Sequence, residues 1–235
     1  MLKFFINILF LVSLSPLLAQ QDSLKTTHNN LSNPADSLIA RKPVKIRLGW
    51  DIGKFIWAKL QDSQSLDFSV GLRFYKNYSL VLEGGNEDHL TDTSLMTYHT
   101  RGNYFKLGID YNLYDNWLDM NNEINIGFRY ARAHFDYLLN RYRTNQPGAI
   151  YTPQIIEVNQ AFEKVNAGWF EITTNIQVEI WHHFYIGYAL SLKYLLSYQN
   201  PENFEVTYIP GFFERNTYSN FGFGMGYFIS YQFRY

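Results

Sequence analysis

Eight stretches between residues 44 and 235 carry a large apolar side chain at every second position, with small or polar residues between. The last is the plainest: Phe221, Phe223, Met225, Tyr227, Ile229, Tyr231, Phe233 and Tyr235 alternate with Gly222, Gly224, Gly226, Phe228, Ser230, Gln232 and Arg234. Side chains of a β-strand alternate faces, so each stretch predicts a strand with one apolar and one polar face. The first sets Ile46, Leu48, Trp50 and Ile52 against Lys45, Arg47, Gly49 and Asp51. The fifth sets Ile124, Ile126, Phe128 and Tyr130 against Asn125, Gly127 and Arg129, and the sixth sets Ile172, Ile176, Val178 and Ile180 against Glu171, Thr173, Gln177 and Glu179.

Connection lengths add an independent signal. Residues 54–65, 84–103, 139–168 and 197–219 read as long loops, while 76–77, 112–120 and 181–183 read as shorter turns between them. Long and short connections alternate in this way in outer-membrane barrels, with short turns in the periplasm and longer loops outside. The pattern predicts an all-β, eight-stranded antiparallel up-and-down transmembrane β-barrel. A soluble lipocalin-like periplasmic ligand carrier is the structural rival, since its strands also alternate but turn the apolar face inward. Three features favour the membrane form: glycines beside charges on the polar face, aromatic residues at strand ends (Tyr78, Tyr111, Trp117, Trp169, Trp181, Phe184, Tyr235), and a terminal strand that runs to Tyr235.

Composition narrows the class further. Residues 1–19 read as a signal peptide, with Lys3 ahead of an apolar run and Ala19 at its end; 20–43 read as a disordered periplasmic segment, and 44–235 as the barrel. Cysteine is absent, which excludes a lipid-anchored lipoprotein, a disulfide framework and thiolate metal sites. A net charge of −1 supplies no basic field for nucleic acid. Aromatic residues make up 18% of the chain, and the mean hydropathy of −0.25 suits strands that offer lipid only alternate residues.

The runs Lys106-Leu107-Gly108-Ile109-Asp110-Tyr111, Tyr208-Ile209-Pro210-Gly211-Phe212 and Ile229-Ser230-Tyr231-Gln232-Phe233-Arg234-Tyr235, with the stretches 106–137 and 169–235 around them, resemble an uncharacterised family of small Gram-negative outer-membrane β-barrel proteins. The resemblance covers nearly all of the chain after Val44. It implies an outer-membrane location and assigns no activity; likeness to the wider OmpA-like and OmpX-like barrels is architectural, and fold is a poor guide to function. It also implies the barrel-assembly machinery and periplasmic chaperones as partners.

Candidate chemistry falls into three groups. The polar face predicts a lumen charge network of Lys45, Arg47, Asp51, Arg73, Glu83, Lys106, Asp110, Arg129, Glu171, Glu179, Lys193 and Arg234. Eight strands leave an interior that side chains fill, so a paired, plugged lumen is preferred to an ion path. Tyr231, Phe233 and Tyr235 form a candidate assembly signal, captured by strand addition. Arg141, Arg143, Tyr208, Phe212 and Phe213 are candidate loop contacts for lipopolysaccharide, a surface partner or outer-membrane lipids. His134 beside Asp136 is the one histidine at the height of a rim catalyst, but no serine lies near it in sequence, and His182-His183 reads as an interfacial turn. The chain implies no cofactor and no metal. The leading function is structural or surface-interaction; a narrow-pore or hydrophobic-solute transporter and a lipid-modifying enzyme are the alternatives.

Overall fold

A computed structural model describes residues 44–61, 63–114, 121–144, 154–199, 205–216 and 218–234; the signal-peptide and periplasmic-segment expectations, Tyr235 and the side chain of Arg234 lie outside the described residues. Eight strands close into one antiparallel barrel: β1 (Lys45–Asp51), β2 (Gln64–Tyr75), β3 (Tyr78–Asp92), β4 (Met96–Asn112), β5 (Glu123–Arg143), β6 (Ile155–Trp181), β7 (Phe184–Tyr198) and β10 (Phe221–Arg234). Each pairs with its sequence neighbour, and β10 returns to β1 with Lys45 opposite Arg234 and Asp51 opposite Phe228. A small hairpin, β8 (Tyr208–Ile209) with β9 (Phe213–Glu214), lies between β7 and β10. The fold class predicted by the alternation is the one adopted.

The apolar face is the outer one. Phe68, Leu107, Ile126, Phe128, Ile172, Ile186 and Phe223 are exposed, while Asp110, Asn125, Arg129, Glu171, Gln177 and Lys193 are buried inside. A lipocalin-type arrangement, with its apolar face inward, is not what this chain adopts. At the proximal end, where β1 begins and β10 ends, two-residue turns join β2 to β3 and β6 to β7. Lys76 (φ 37°) and His183 (φ 68°) take the left-handed conformation that such turns demand.

The distal end departs from the sequence reading in two ways. Most of residues 84–103 and much of 139–168 are strand: β3 and β4 stay paired up to Asp92 and Thr97, and β5 and β6 up to Arg143 and Ile155. Gly84, Gly85 and Asn86 interrupt the apolar period, but neighbouring strands on both sides keep the ladder going. The second departure is α1 (Ile52–Leu60), a helix within the predicted 54–65 loop. It takes over where β1 stops, with the Asp51 carboxylate accepting the Lys54 N–H at 2.9 Å as its N-cap. Ile52, expected on the outer face of a strand, opens this helix instead.

Candidate functional site

The lumen is built in two storeys. In the proximal one, inward positions carry charge. The Arg129 guanidinium donates to Glu83 at 2.6 Å and to Asp110 at 2.9 Å. Lys106 lies 3.0 Å from Glu171, which also accepts from the Trp169 indole at 2.7 Å. Arg47 and Arg73 share Glu123, at 3.0 and 2.7 Å, and the Gln177 amide donates to the same carboxylate at 2.6 Å. Burying a lone ion costs several kcal/mol, so these groups persist inside only because each meets a counter-charge and further hydrogen bonds. Glycine makes the space: a Cβ at Gly127 would overlap the Asp110 carboxylate and the Arg129 guanidinium.

The distal storey is apolar. Tyr98, Ala131, Ala133, Phe135, Tyr137, Leu139, Val165, Ala167, Trp169 and Leu195 point inward from four strands and pack into one core. The β8–β9 hairpin drops onto it. Phe212, 1% exposed, meets the Trp169 ring edge-on at 5.6 Å between centroids. The turn between the two short strands passes through Gly211 (φ 78°), seated on the Tyr104 ring, a conformation and a clearance that only glycine meets easily.

Polar bonds lock the hairpin to the barrel. Glu87 accepts from the Tyr208 hydroxyl at 2.6 Å and from the Gly211 N–H at 2.9 Å, and it also pairs with Lys54 of α1. Lys54 lies 2.6 Å from Asp67 as well. Lys193, 1% exposed, donates to the Gly211 carbonyl at 2.8 Å and to that of Phe212 at 3.3 Å. Its ammonium stands 4.1 Å from the Phe213 ring centre. Below this plug a cavity of about 130 Å³ remains, lined by Arg47, Lys106, Asp110, Arg129 and Glu171 among others.

The predicted lumen residues divide accordingly. Arg47, Arg73, Glu83, Lys106, Asp110, Arg129, Glu171 and Lys193 join one chain of ion pairs. Lys45 sits at its proximal rim, opposite Arg73 in register. Asp51 caps α1, and Glu179 closes the proximal end by accepting from Asn121 at 2.6 Å and from the His183 N–H at 2.8 Å. The predicted network omitted Glu123, Lys54, Asp67 and Glu87. Glu123 was legible as the next inward position before Asn125, but Lys54 sits in a helix and Glu87 lies beyond the Gly84-Gly85 break.

The loop contacts need correcting. Tyr208 and Phe212 are interior residues rather than presented ones, and Phe213 is half-buried beneath two ammonium groups. A segment with Val206, Tyr208, Ile209 and Phe212 around a Pro-Gly turn gains more by filling the barrel mouth than by facing water. That density of apolar residues was the available signal. Arg141 and Arg143 do stand exposed at the distal tip, Arg141 donating to Thr97 at 2.8 Å and to Asp92 at 2.9 Å. The Thr97 hydroxyl donates to Asp92 at 2.6 Å, and this bond together with that from Arg141 holds the Asp92 carboxyl below its ordinary range. Tyr231 and Phe233 lie on the outer face, their rings 4.7 Å apart. His134 bonds Asn166 at 3.0 Å while Asp136 accepts the Lys164 N–H at 2.8 Å, so the two are held by different partners. Among the described residues, no cluster of three or more histidine, aspartate or glutamate side chains is arranged to hold a metal.

Fold and interior together define a closed eight-stranded barrel, apolar outside, ion-paired within and plugged at one mouth. The chain belongs to the family described as Domain of unknown function (DUF6048), whose model matches residues 1–234. Among solved structures it is similar to the N-terminal β-barrel domain of Pseudomonas aeruginosa OprF, at 11% identity and a TM-score of 0.39, covering 82% of this chain and 98% of that one. It is likewise similar to Ail, the attachment invasion locus protein of Yersinia pestis, at 7% identity and a TM-score of 0.39, covering 82% and 99%. No curated protein sequence matches it.

Proposed function

We propose that this chain is an outer-membrane barrel of the Gram-negative envelope that acts through its distal surface and not by conduction. The observation that carries this reading is the pairing of an apolar outer belt with a lumen filled by ion pairs and stoppered by the β8–β9 hairpin. In hydrocarbon every backbone group must be bonded within the protein, which a closed ring of paired strands achieves up to the rung where β1 ends. Residues 170–180 of β6 supply an apolar outer stretch of the roughly 9–11 residues a tilted strand needs to cross. β3 to β6 continue past that belt as a projecting wall, which offers Arg141, Arg143 and Tyr142 to lipopolysaccharide phosphates or a surface partner.

Delivery follows the same reading: periplasmic chaperones and the barrel-assembly machinery take up the terminal strand, with Tyr231, Phe233 and Tyr235 as its recognition face. The first test is outer-membrane fractionation with unboiled and boiled gel samples; faster migration when unboiled is expected. In planar bilayers the folded protein is expected to show no steady conductance. Stable single channels altered by Arg129→Ala would favour the pore alternative. An altered lipid A mass spectrum on expression would favour the lipid-modifying enzyme.

A further inference from the structure

The barrel wall is discontinuous in one place. β1 pairs with β2 as far as Trp50 opposite Phe68, and with β10 as far as Asp51 opposite Phe228. Distal to that rung, among the described residues, no strand stands between β2 and β10; α1 occupies the space and packs on both. A helix bonds its own backbone and cannot extend a strand ladder. Among the described residues, no backbone hydrogen bond ties α1 to either flanking strand. Side chains close the seam instead: Gly53 lies against Tyr227, the Phe55 ring sits 5.4 Å from that of Trp50, and Lys54 reaches inward to Asp67 and Glu87.

The lumen cavity extends to this seam. Two residues of the outer face, Phe68 and Met225, bound it together with Asp51, Lys54 and Asp67 of the interior. Outside, α1 presents Trp57 and Leu60, 64% and 75% exposed, in continuity with the apolar belt. An outward swing of α1 leaves those two side chains as they are. What it gives up is the packing of Gly53, Phe55 and Ala58 and the Lys54 ion pairs.

We propose that the seam is a lateral port gated by α1, and that it takes the headgroup of a membrane amphiphile bearing a primary ammonium. The inference rests on the membrane-barrel reading above. Asp67 and Glu87 hold the Lys54 ammonium that α1 supplies at the seam, and Asp51 beside them accepts the Lys54 backbone N–H. When α1 moves, Lys54 leaves with it, and buried carboxylates deprived of a counter-ion are strongly disfavoured. The open state is stabilised by a cation that takes the position of the Lys54 ammonium. A ligand whose ammonium does so while its chain lies along Phe68 and Met225 satisfies both sides of the wall. An anionic headgroup would meet the same carboxylates at the seam, because the cations that line the cavity further in are already held, Lys106 by Glu171, Arg129 by Glu83 and Asp110, Arg47 by Glu123 and Lys193 by the hairpin carbonyls.

The test uses the full-length folded protein in lipid nanodiscs and two photoactivatable probes of equal chain length, a primary alkylamine and a carboxylate. Label is mapped by mass spectrometry. The chain has no cysteine, so Gly53→Cys with Tyr227→Cys forms one engineered pair; the Cβ positions lie 3.1 Å apart, close to the roughly 3.5–4.5 Å of a disulfide. The amine probe is expected to concentrate on residues 67–68 and 225–228. That label should be lost in the oxidised double-cysteine variant and restored on reduction. Lys54→Met, which removes the resident ammonium, should raise it several-fold. Label spread evenly around the belt, or insensitive to the disulfide, overturns the port; equal seam labelling by the carboxylate probe overturns the ammonium assignment. Heat-modified migration is checked first for each protein. Its absence in the wild type overturns the membrane-barrel reading and the port with it, whereas a normal shift with even labelling overturns the port alone.

Discussion

The two halves of β5 are built on opposite plans. From Glu123 to Tyr130 the inward positions are Glu123, Asn125, Gly127 and Arg129, and the outward ones are Ile124, Ile126, Phe128 and Tyr130. From Ala131 onward the inward positions are Ala131, Ala133, Phe135, Tyr137 and Leu139, and the outward ones include Arg132, His134 and Asp136. The polarity inverts within one strand while its pairing with β4 and β6 continues past the inversion. Neighbouring strands invert at matching heights: Lys106 gives way to Tyr104, Glu171 to Trp169 and Lys193 to Leu195 on the inner face.

The lesson is that the medium outside the wall dictates what fills the inside. Where water surrounds the strands, the hydrophobic effect sends apolar side chains inward. Where the proposed bilayer surrounds them, apolar side chains go outward, and the polar residues left inside must satisfy one another. The inversion level therefore marks the distal boundary of the apolar belt, and the β8–β9 hairpin sits on the apolar storey because only that storey offers it a hydrophobic seat.

Breaking each half in its own way sharpens the contrast. In the distal half, Phe135→Ala opens a cavity in a packed core and is expected to cost about 3–5 kcal/mol in urea unfolding of the folded barrel. In the proximal half, Arg129→Ala leaves Glu83 and Asp110 without their shared cation and is expected to cost about 3–5 kcal/mol by the same measurement. Adding Glu83→Gln and Asp110→Asn to Arg129→Met removes the stranded charges, and the triple variant should recover much of that loss. The third comparison uses one residue type on one outer face. Ile126→Lys places an ammonium in the apolar belt, at about 2–4 kcal/mol. His134→Lys lies on the water-facing half of the same strand and should fall within about 0.5 kcal/mol of wild type. Equal costs at the two positions would place the belt boundary elsewhere.

Much of the proximal half was legible in the chain. Period-two alternation over Ile124, Ile126, Phe128 and Tyr130 identifies both the strand and its two faces, because a strand has only two sides and each residue must take one. The inward register of Arg47, Lys106, Asp110, Arg129 and Glu171 follows from the same count. Their partners do not. Arg129 meets Glu83 and Asp110 from strands that lie 46 and 19 residues away in sequence, and only barrel closure brings those positions to one level.

The distal half was read less well, for a physical reason. Beyond the apolar belt the outer face is polar, so at Gly84, Gly85 and Asn86 the alternation of strongly apolar residues lapses while pairing persists. Local pattern reports the environment of a strand and not its existence. The helix that replaces β1 left no period-two trace, and Lys54 could not be placed inside from sequence.

By itself, then, the amino-acid order determined an all-β barrel, the number of its strands and the sidedness of its proximal half, because these follow from short-range periodicity and turn chemistry. Tertiary structure alone decided which charges pair, that residues 208–214 plug the mouth instead of reaching outward, and that a helix completes the wall. Each of those depends on groups far apart in the chain meeting at one height of a closed ring, and no local pattern carries that information.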